Sequence, residues 1–459
     1  MSFPINCLHL LIAIMIFAPL TANKLNISYQ WKILDFDFGS VEKRQAAIQE
    51  KSFVPENNLP LGLEVYKTRI FVTVPRWKFG VAASLAYFDR TNAQMESPIL
   101  KPYPNWDAHR SLGGEPPEIV SPFRIRADQC GRLWVLDTGL EGLLEEIPRV
   151  YKNTTLMIYD LHNDQLLRSY EVPYDQTTED SFFANIAVED ENCQDTYAYL
   201  GDLGAPALLV YSWKQNRSWK VKHNFFHIKP LAGDMTVAGI NFQWTDGLFG
   251  LALRPEKTGY STLFFHPMTS FDEFSVNTKV LRDEAIATNK SNYYEFKYLG
   301  SRGPKSQSGA SFLDKRTGVL FYALVNLNAV ACWRTTNPGY SMESQGRVYM
   351  NNVTMVFPND VKVDNDGNVW VLSDRLPEFM YTSLDYSQVN FRILSAKVSE
   401  AIKGTACASK LVKNPEIMQV IENKIGVSKT QNKKNSAWNY NGLPILSYVI
   451  LSAFAIFVR

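Results

Sequence analysis

The sequence predicts an all-β protein, a six-bladed β-propeller, and three observations lead there. First, the stretch "FRIRADQCGRLWVLDTGL" (Phe123 to Leu140) returns as "NDVKVDNDGNVWVLSDRL" (Asn359 to Leu376). Asp128 then falls on Asp364, Gly131 on Gly367 and Trp134 on Trp370. Second, a short aromatic-centred strand recurs at Phe71, Trp134, Tyr197, Phe264, Phe321 and Trp370, at spacings of 63, 63, 67, 57 and 49 residues. Third, each copy follows a strand that ends in a polar turn, as in "IAVEDENCQDT", and precedes another aromatic strand, such as "LMIYDL" or "LLVYSW". Four antiparallel strands repeated at this period make a propeller blade, because radial repetition leaves few open sheet edges. A β-sandwich of this size would not require the internal similarity. Six anchors give six blades over about Trp31 to Cys407, and the anchors read as core residues between sheets.

Each part of the chain then has its own justification. Residues 1–22 read as a secretory signal: the run from Leu8 to Leu20 is too short to span a bilayer, and Thr21-Ala22 suits cleavage. Residues 23–409 are the propeller. The Gly and Asp/Asn residues between its first and second strands accept the positive φ angles of hairpin turns. Residues 410–442 are a polar, Lys/Asn-rich tail, and 443–459 form a hydrophobic C-terminal segment ending in Arg459. That last segment fits a lipid-anchor signal or a short membrane anchor, which predicts attachment to the outer cell surface.

Export changes how the other residues read. Cys7 leaves with the signal, so Cys130, Cys193, Cys332 and Cys407 remain, enough for two disulfides in any of three pairings. Five sequons begin at Asn26, Asn153, Asn216, Asn289 and Asn352, candidates for glycosylation. The 47 Lys+Arg balance 46 Asp+Glu and form no basic stripe, so a nucleic-acid partner is not expected. The chain is 46% hydrophobic and 13% aromatic, ample for a folded core.

Longer motifs carry a resemblance. "NLPLGLEVYKTRIFVTVPRWKFGVAASLAYFD", "FFANIAVEDENCQDTYAYLGD", "AGINFQWTDGLFGLAL" and "FPNDVKVDNDGNVWVLSDRLPEFMYTSLDYSQVNFRI" make the chain similar to the insect Yellow and major royal jelly protein family, from Trp31 to Cys407. The resemblance implies a six-bladed propeller and the disulfides Cys130–Cys193 and Cys332–Cys407, the second tying the fifth blade to the C-terminal strand. It also implies a choice of roles. Some members act in cuticle melanin formation, one group converts dopachrome, salivary members bind biogenic amines, and royal jelly members are nutrients. Family membership settles fold better than function.

The site expectation comes from propeller geometry. The heads of inner strands converge on the mouth of the central channel, and Glu64, Asn185, Asn241 and Asp360 occupy such positions. Such oxygens suit Ca²⁺ in lactonase-like propellers, yet Asn and Asp also cap turns, and no metal site is assigned. No GxSxG is present, and His223/His227 is the only close histidine pair. The ligand-binding candidates are Asn185, Asn241, Phe242, Asn328, Phe357, Asn359 and Asp360, with Phe182, Phe183 and Trp244 nearby. Aromatic faces with amide edges suit a small aromatic amine or catechol. Joined to the pigmentation role that the resemblance implies, this gives the expected function: a secreted protein that binds a catecholamine-type molecule, without cofactor and in contact with cuticle matrix. Dopachrome conversion is the alternative, with Asp360 or Glu64 as base.

Overall fold

A computed structural model describes residues 24–111 and 115–408; the expected signal (1–22) and the expected tail and hydrophobic segment (410–459) lie outside these. Six four-stranded antiparallel sheets follow one another along the chain. Blade 1 comprises Gly62–Tyr66, Arg69–Thr73, Leu85–Asp89 and Lys101–Pro102. Blade 2 comprises Pro122–Ala127, Arg132–Asp137, Thr155–Asp160 and Leu166–Glu171. Blade 3 runs Phe183–Glu189, Tyr197–Asp202, Ala207–Ser212 and Arg217–Val221. Blade 4 runs Leu248–Pro255, Ser261–Pro267, Asp272–Asn277 and Lys297–Ser301. Blade 5 is built from Ser308–Asp314, Val319–Leu324, Ala329–Arg334 and Gln345–Met350. Blade 6 takes Pro358–Val363, Asn368–Ser373 and Phe391–Lys397 from the end of the domain and Asn26–Trp31 from its beginning. The first strands of blades 1 to 6 pack each against the next and close into an inner ring.

The six aromatic anchors all fall on second strands and are all buried. The repeated hairpin is the same object twice. In one copy Asp128 Oδ1 accepts from Arg132 N–H and its Oδ2 from the Trp134 indole at 2.7 Å. In the other, Asp364 Oδ1 accepts from Asn368 N–H and its Oδ2 from the Trp370 indole at 2.8 Å. Gly131 and Gly367 take φ of +76° and +79° in the turns between. One carboxylate thus ties the turn to the core aromatic of its own blade, which is why Asp, Gly and Trp recur at fixed offsets.

The ring is closed by strands from both ends of the domain. The strand Asn26–Trp31, ahead of the expected start at Trp31, pairs antiparallel with Phe391–Lys397 and becomes the outermost strand of blade 6. The Trp31 indole donates to Pro98 O at 2.8 Å and so also ties this strand to blade 1. The disulfide Cys332–Cys407 then fixes the chain beyond the last helix, Val398–Ile402, to the third strand of blade 5. Cys130–Cys193 joins the turns of blades 2 and 3. Both pairings are those that the resemblance implied.

Of the sequons, Asn26, Asn216, Asn289 and Asn352 are exposed, whereas Asn153 is half-buried and donates its amide to Val172 O at 2.7 Å. His223 and His227 flank the short 3₁₀ turn Asn224–Phe226; the His223 ring stacks on Phe296 and Tyr293, a packing role. Among the described residues no helix is long and apolar enough to cross a membrane.

Gly250 on the inner strand of blade 4 offers a local test. A Cβ there would lie 2.1 Å from the buried His266 ring, which reaches Gly309 O of blade 5 at 3.0 Å. Gly250→Ala is expected to cost about 2–4 kcal/mol by displacing that ring, measured by urea unfolding. Gly259→Ala, with open space but a positive φ, should cost roughly 1 kcal/mol.

Candidate functional site

The wall of the channel mouth is built from strand heads and the loops that follow second strands. It encloses a cavity of about 260 Å³. Trp77, Phe123, Phe182, Trp244, Phe249 and Phe357 supply aromatic faces, and Leu61, Leu143, Leu203, Met268, Leu376 and Met380 fill between them. Three polar residues reach it: Arg124, Asn359 and Asp246.

Two of the three are already committed. The buried Arg124 donates to Leu61 O at 2.6 Å and to Asn359 O and Oδ1 at 2.9 and 2.5 Å, and stands over Phe249. Asn359 in turn donates to Asp374 at 2.5 Å. Burial pushes Asp374 well above the usual carboxylate range despite that bond. Asp246 is different. Among the described residues its carboxyl has no hydrogen-bond or ion-pair partner, and the residue is half-buried in the cavity lining. The surrounding protein desolvates it and pushes its pKa up to about 6.

A roof covers part of the mouth. The hairpin Asp234–Val237/Ile240–Gln243, inserted between blades 3 and 4, meets the helix Leu376–Tyr381 of blade 6. The Trp244 indole donates to Tyr381 Oη at 2.7 Å, and Phe242 stacks on the Tyr381 ring at 5.5 Å.

Residues 120–407 match the family model described as Major royal jelly protein. The chain is 42% identical over 410 residues to Protein yellow of Drosophila subobscura, covering 87% of this chain and 70% of that protein. Against Protein yellow of Drosophila melanogaster it is 41% identical over 397 residues, covering 84% and 71%. The chain belongs to the Yellow and major royal jelly protein family. Its backbone is also similar to a solved luciferin-regenerating enzyme, at 10% identity and a TM-score of 0.44 over 76% of this chain and 93% of that one, a likeness too low to carry function.

Within this Yellow-type propeller the expected site residues separate into two sets. Phe357 and Asn359 line the cavity, with Phe182 and Trp244 from the surrounding group, and Phe242 lies in the roof. Asn241 is exposed on the hairpin, where its amide donates to Asp234 and to Met235 O, so it does not face the cavity. The others hold the ring together. Asp360 accepts from Leu63 N–H of blade 1 at 2.8 Å, and from Val361 N–H and Lys362 of its own strand. Glu64 accepts from Ala127 N–H and Arg126 of blade 2, both at 3.1 Å. Asn185 donates to Phe249 O of blade 4 at 2.7 Å, and Asn328 accepts from Phe357 N–H at the entry to blade 6.

Asp360 and Glu64 are therefore spent on backbone donors and on the chain's own cations, which corrects their reading as bases presented to a ligand. The same engagement answers the calcium reading, since Arg126 and Lys362 supply the positive charge beside those carboxylates. Among the described residues no three His, Cys, Asp or Glu side chains gather as a metal site.

Asp246 and Arg124 were not foreseen. Asp246-Gly247 reads as an ordinary turn pair, and Arg124 as the solvent-facing residue of an alternating strand; only the closed ring turns both inward.

The two carboxylates should respond in opposite ways. Asp360→Ala leaves two buried N–H groups and Lys362 without their acceptor and is expected to cost about 3–5 kcal/mol in urea unfolding. Asp246→Asn should stabilise. A carboxyl raised from 3.8 to about 6 by folding withdraws stability as pH rises through that window. The gain in Tm over the parent should thus be absent below pH 4, grow to about pH 6 and stay level above it.

Proposed function

We propose that this Yellow-family protein acts in pigmentation outside the cell by holding a small aromatic amine or catechol in the axial cavity. The observation that carries this reading is the pairing of aromatic walls with one uncommitted carboxyl, Asp246, in a space of about 260 Å³. That volume is just below the roughly 300–1,000 Å³ usual for small-molecule sites, so it suits one or two fused rings. Rings gain stacking and burial against Phe249, Phe357 and Trp244, and an ammonium meets both the carboxylate and aromatic faces. The two disulfides fit an oxidising compartment, in keeping with the signal sequence.

Calorimetry with dopamine, serotonin and uncharged catechol tests it. Dopamine and serotonin should bind at pH 7.5 and weaken as pH falls through about 6, where Asp246 takes up its proton. Asp246→Asn should weaken both by about tenfold or more, equivalent to roughly 1.4 kcal/mol, and leave catechol little changed. Equal loss for all three would remove the charge argument, and no binding of any would remove the site.

The same carboxyl supports a second reading. A base with pKa near 6 in a desolvated cavity is placed to move a proton near neutral pH, as dopachrome conversion requires. Purified protein should then speed dopachrome decay, with a rate that rises with pH through about 6 and is lost in Asp246→Asn. Decay no faster than in buffer would leave binding as the function.

A further inference from the structure

A second cavity, of about 970 Å³, lies off the axis between the exposed helix Val41–Gln49 and the loops of blades 1 and 2. It shares no lining residue with the axial cavity. Five cations line it (Lys43, Lys51, Arg76, Arg110 and Arg149) against two carboxylates, Glu50 and Glu141. Glu141 is already shared between Arg149 at 3.6 Å and Arg76 at 3.9 Å. Arg76 is further committed to backbone carbonyls, including Val120 O at 2.9 Å. Among the described residues, Lys43, Lys51 and Arg110 have no carboxylate partner, so the groove carries a positive surplus on its open side.

The two surface arginines are held in a way that suits an oxyanion. Arg110 lies 5.1 Å over Trp106 and Arg149 lies 4.3 Å over Phe79. The ring beside each guanidinium restrains it, and Arg110, which has no carboxylate partner among the described residues, is the one free to take a planar carboxylate by two bonds. The same lining has an apolar floor: the Phe38 and Trp106 rings pack on each other 4.9 Å apart, with Ala47 and Ala82 also lining the groove. Among the described residues no Asn or Gln side chain lines the groove, so none of them offers the amide that commonly pairs with sugar hydroxyls.

We propose that this groove is a second binding site, for an aromatic carboxylate, with the carboxylate on Arg110 and the neighbouring lysines and the ring on the Phe38–Trp106 floor. The surplus of cations selects the anion, and the floor selects the ring.

Calorimetry of the full chain with indole-2-carboxylate and its uncharged amide tests this. The acid should bind about tenfold or more tightly than the amide at low salt, and its affinity should fall as salt is raised. Arg110→Ala should weaken the acid by about tenfold, and Arg110→Lys, which keeps charge but loses the fork, should fall between. Arg110 is exposed, so both variants should fold. Equal affinity for acid and amide overturns the proposal. Binding that survives Arg110→Ala but is lost in Asp246→Asn places the ligand in the axial cavity and overturns the assignment. Equally tight binding of short polyglutamate, which has charge but no ring, overturns the aromatic half of it.

Discussion

The inner ring depends on hydrogen bonds from side chains to the backbone across every blade junction. Each first strand pairs with the second strand of its own blade and turns its other edge toward the axis, where no strand completes the ladder. Those edge groups must find partners, because an unpaired buried N–H or C=O costs as much as a lost bond. The neighbouring blade supplies partners for several, Asp360 to Leu63, Glu64 to Ala127, Asn185 to Phe249 and His266 to Gly309, while Asp190 to Gln129 and Asn328 to Phe357 bridge the other two junctions just outside the first strands. Going round the ring, every junction has at least one.

This constraint explains why polar strand heads were such persuasive candidates and why most of them are not available to a ligand. Glu64, Asn185 and Asp360 look like an inward-facing polar set because they are one, but the neighbouring blades hold them. What remains for chemistry is the group the ring does not need. Asp246 lies just before the first strand of blade 4, caps nothing and pairs with nothing among the described residues, and so it carries an electrostatic cost that an ammonium would relieve.

The fold was legible because its signals are local and repeated. Asp128, Gly131 and Trp134 with their counterparts Asp364, Gly367 and Trp370 encode turn and anchor within a few residues, and the anchors count the blades. The disulfide pairing came only from the resemblance, since spacing alone left three choices. The closing strand was missed because "NISYQW" carries no aromatic-anchored hairpin of its own; its partner lies at the far end of the domain. The cavity was half legible. Of the aromatic and amide residues named near strand heads, Phe357 and Asn359 line it. Which polar groups were free could not be read, because that depends on contacts between residues hundreds of positions apart, as in Arg124 with Asn359.

The pairing of Asn26–Trp31 with Phe391–Lys397 also sets a schedule. Ser28 meets Ser395 across 367 residues, so the strand made first must wait for the strand made last. At a synthesis rate of about 5–20 residues per second that interval is roughly 20–70 s. Throughout it, blade 6 exists only as its outer strand, Asn26–Trp31, held against blade 1 without its ladder partner, while blades 1 to 5 can already form from neighbouring hairpins. The nascent chain is therefore an open arc whose leading strand lacks its ladder partner, and its exposure to wrong partners is governed by how soon the last sixty or so residues of the ring arrive.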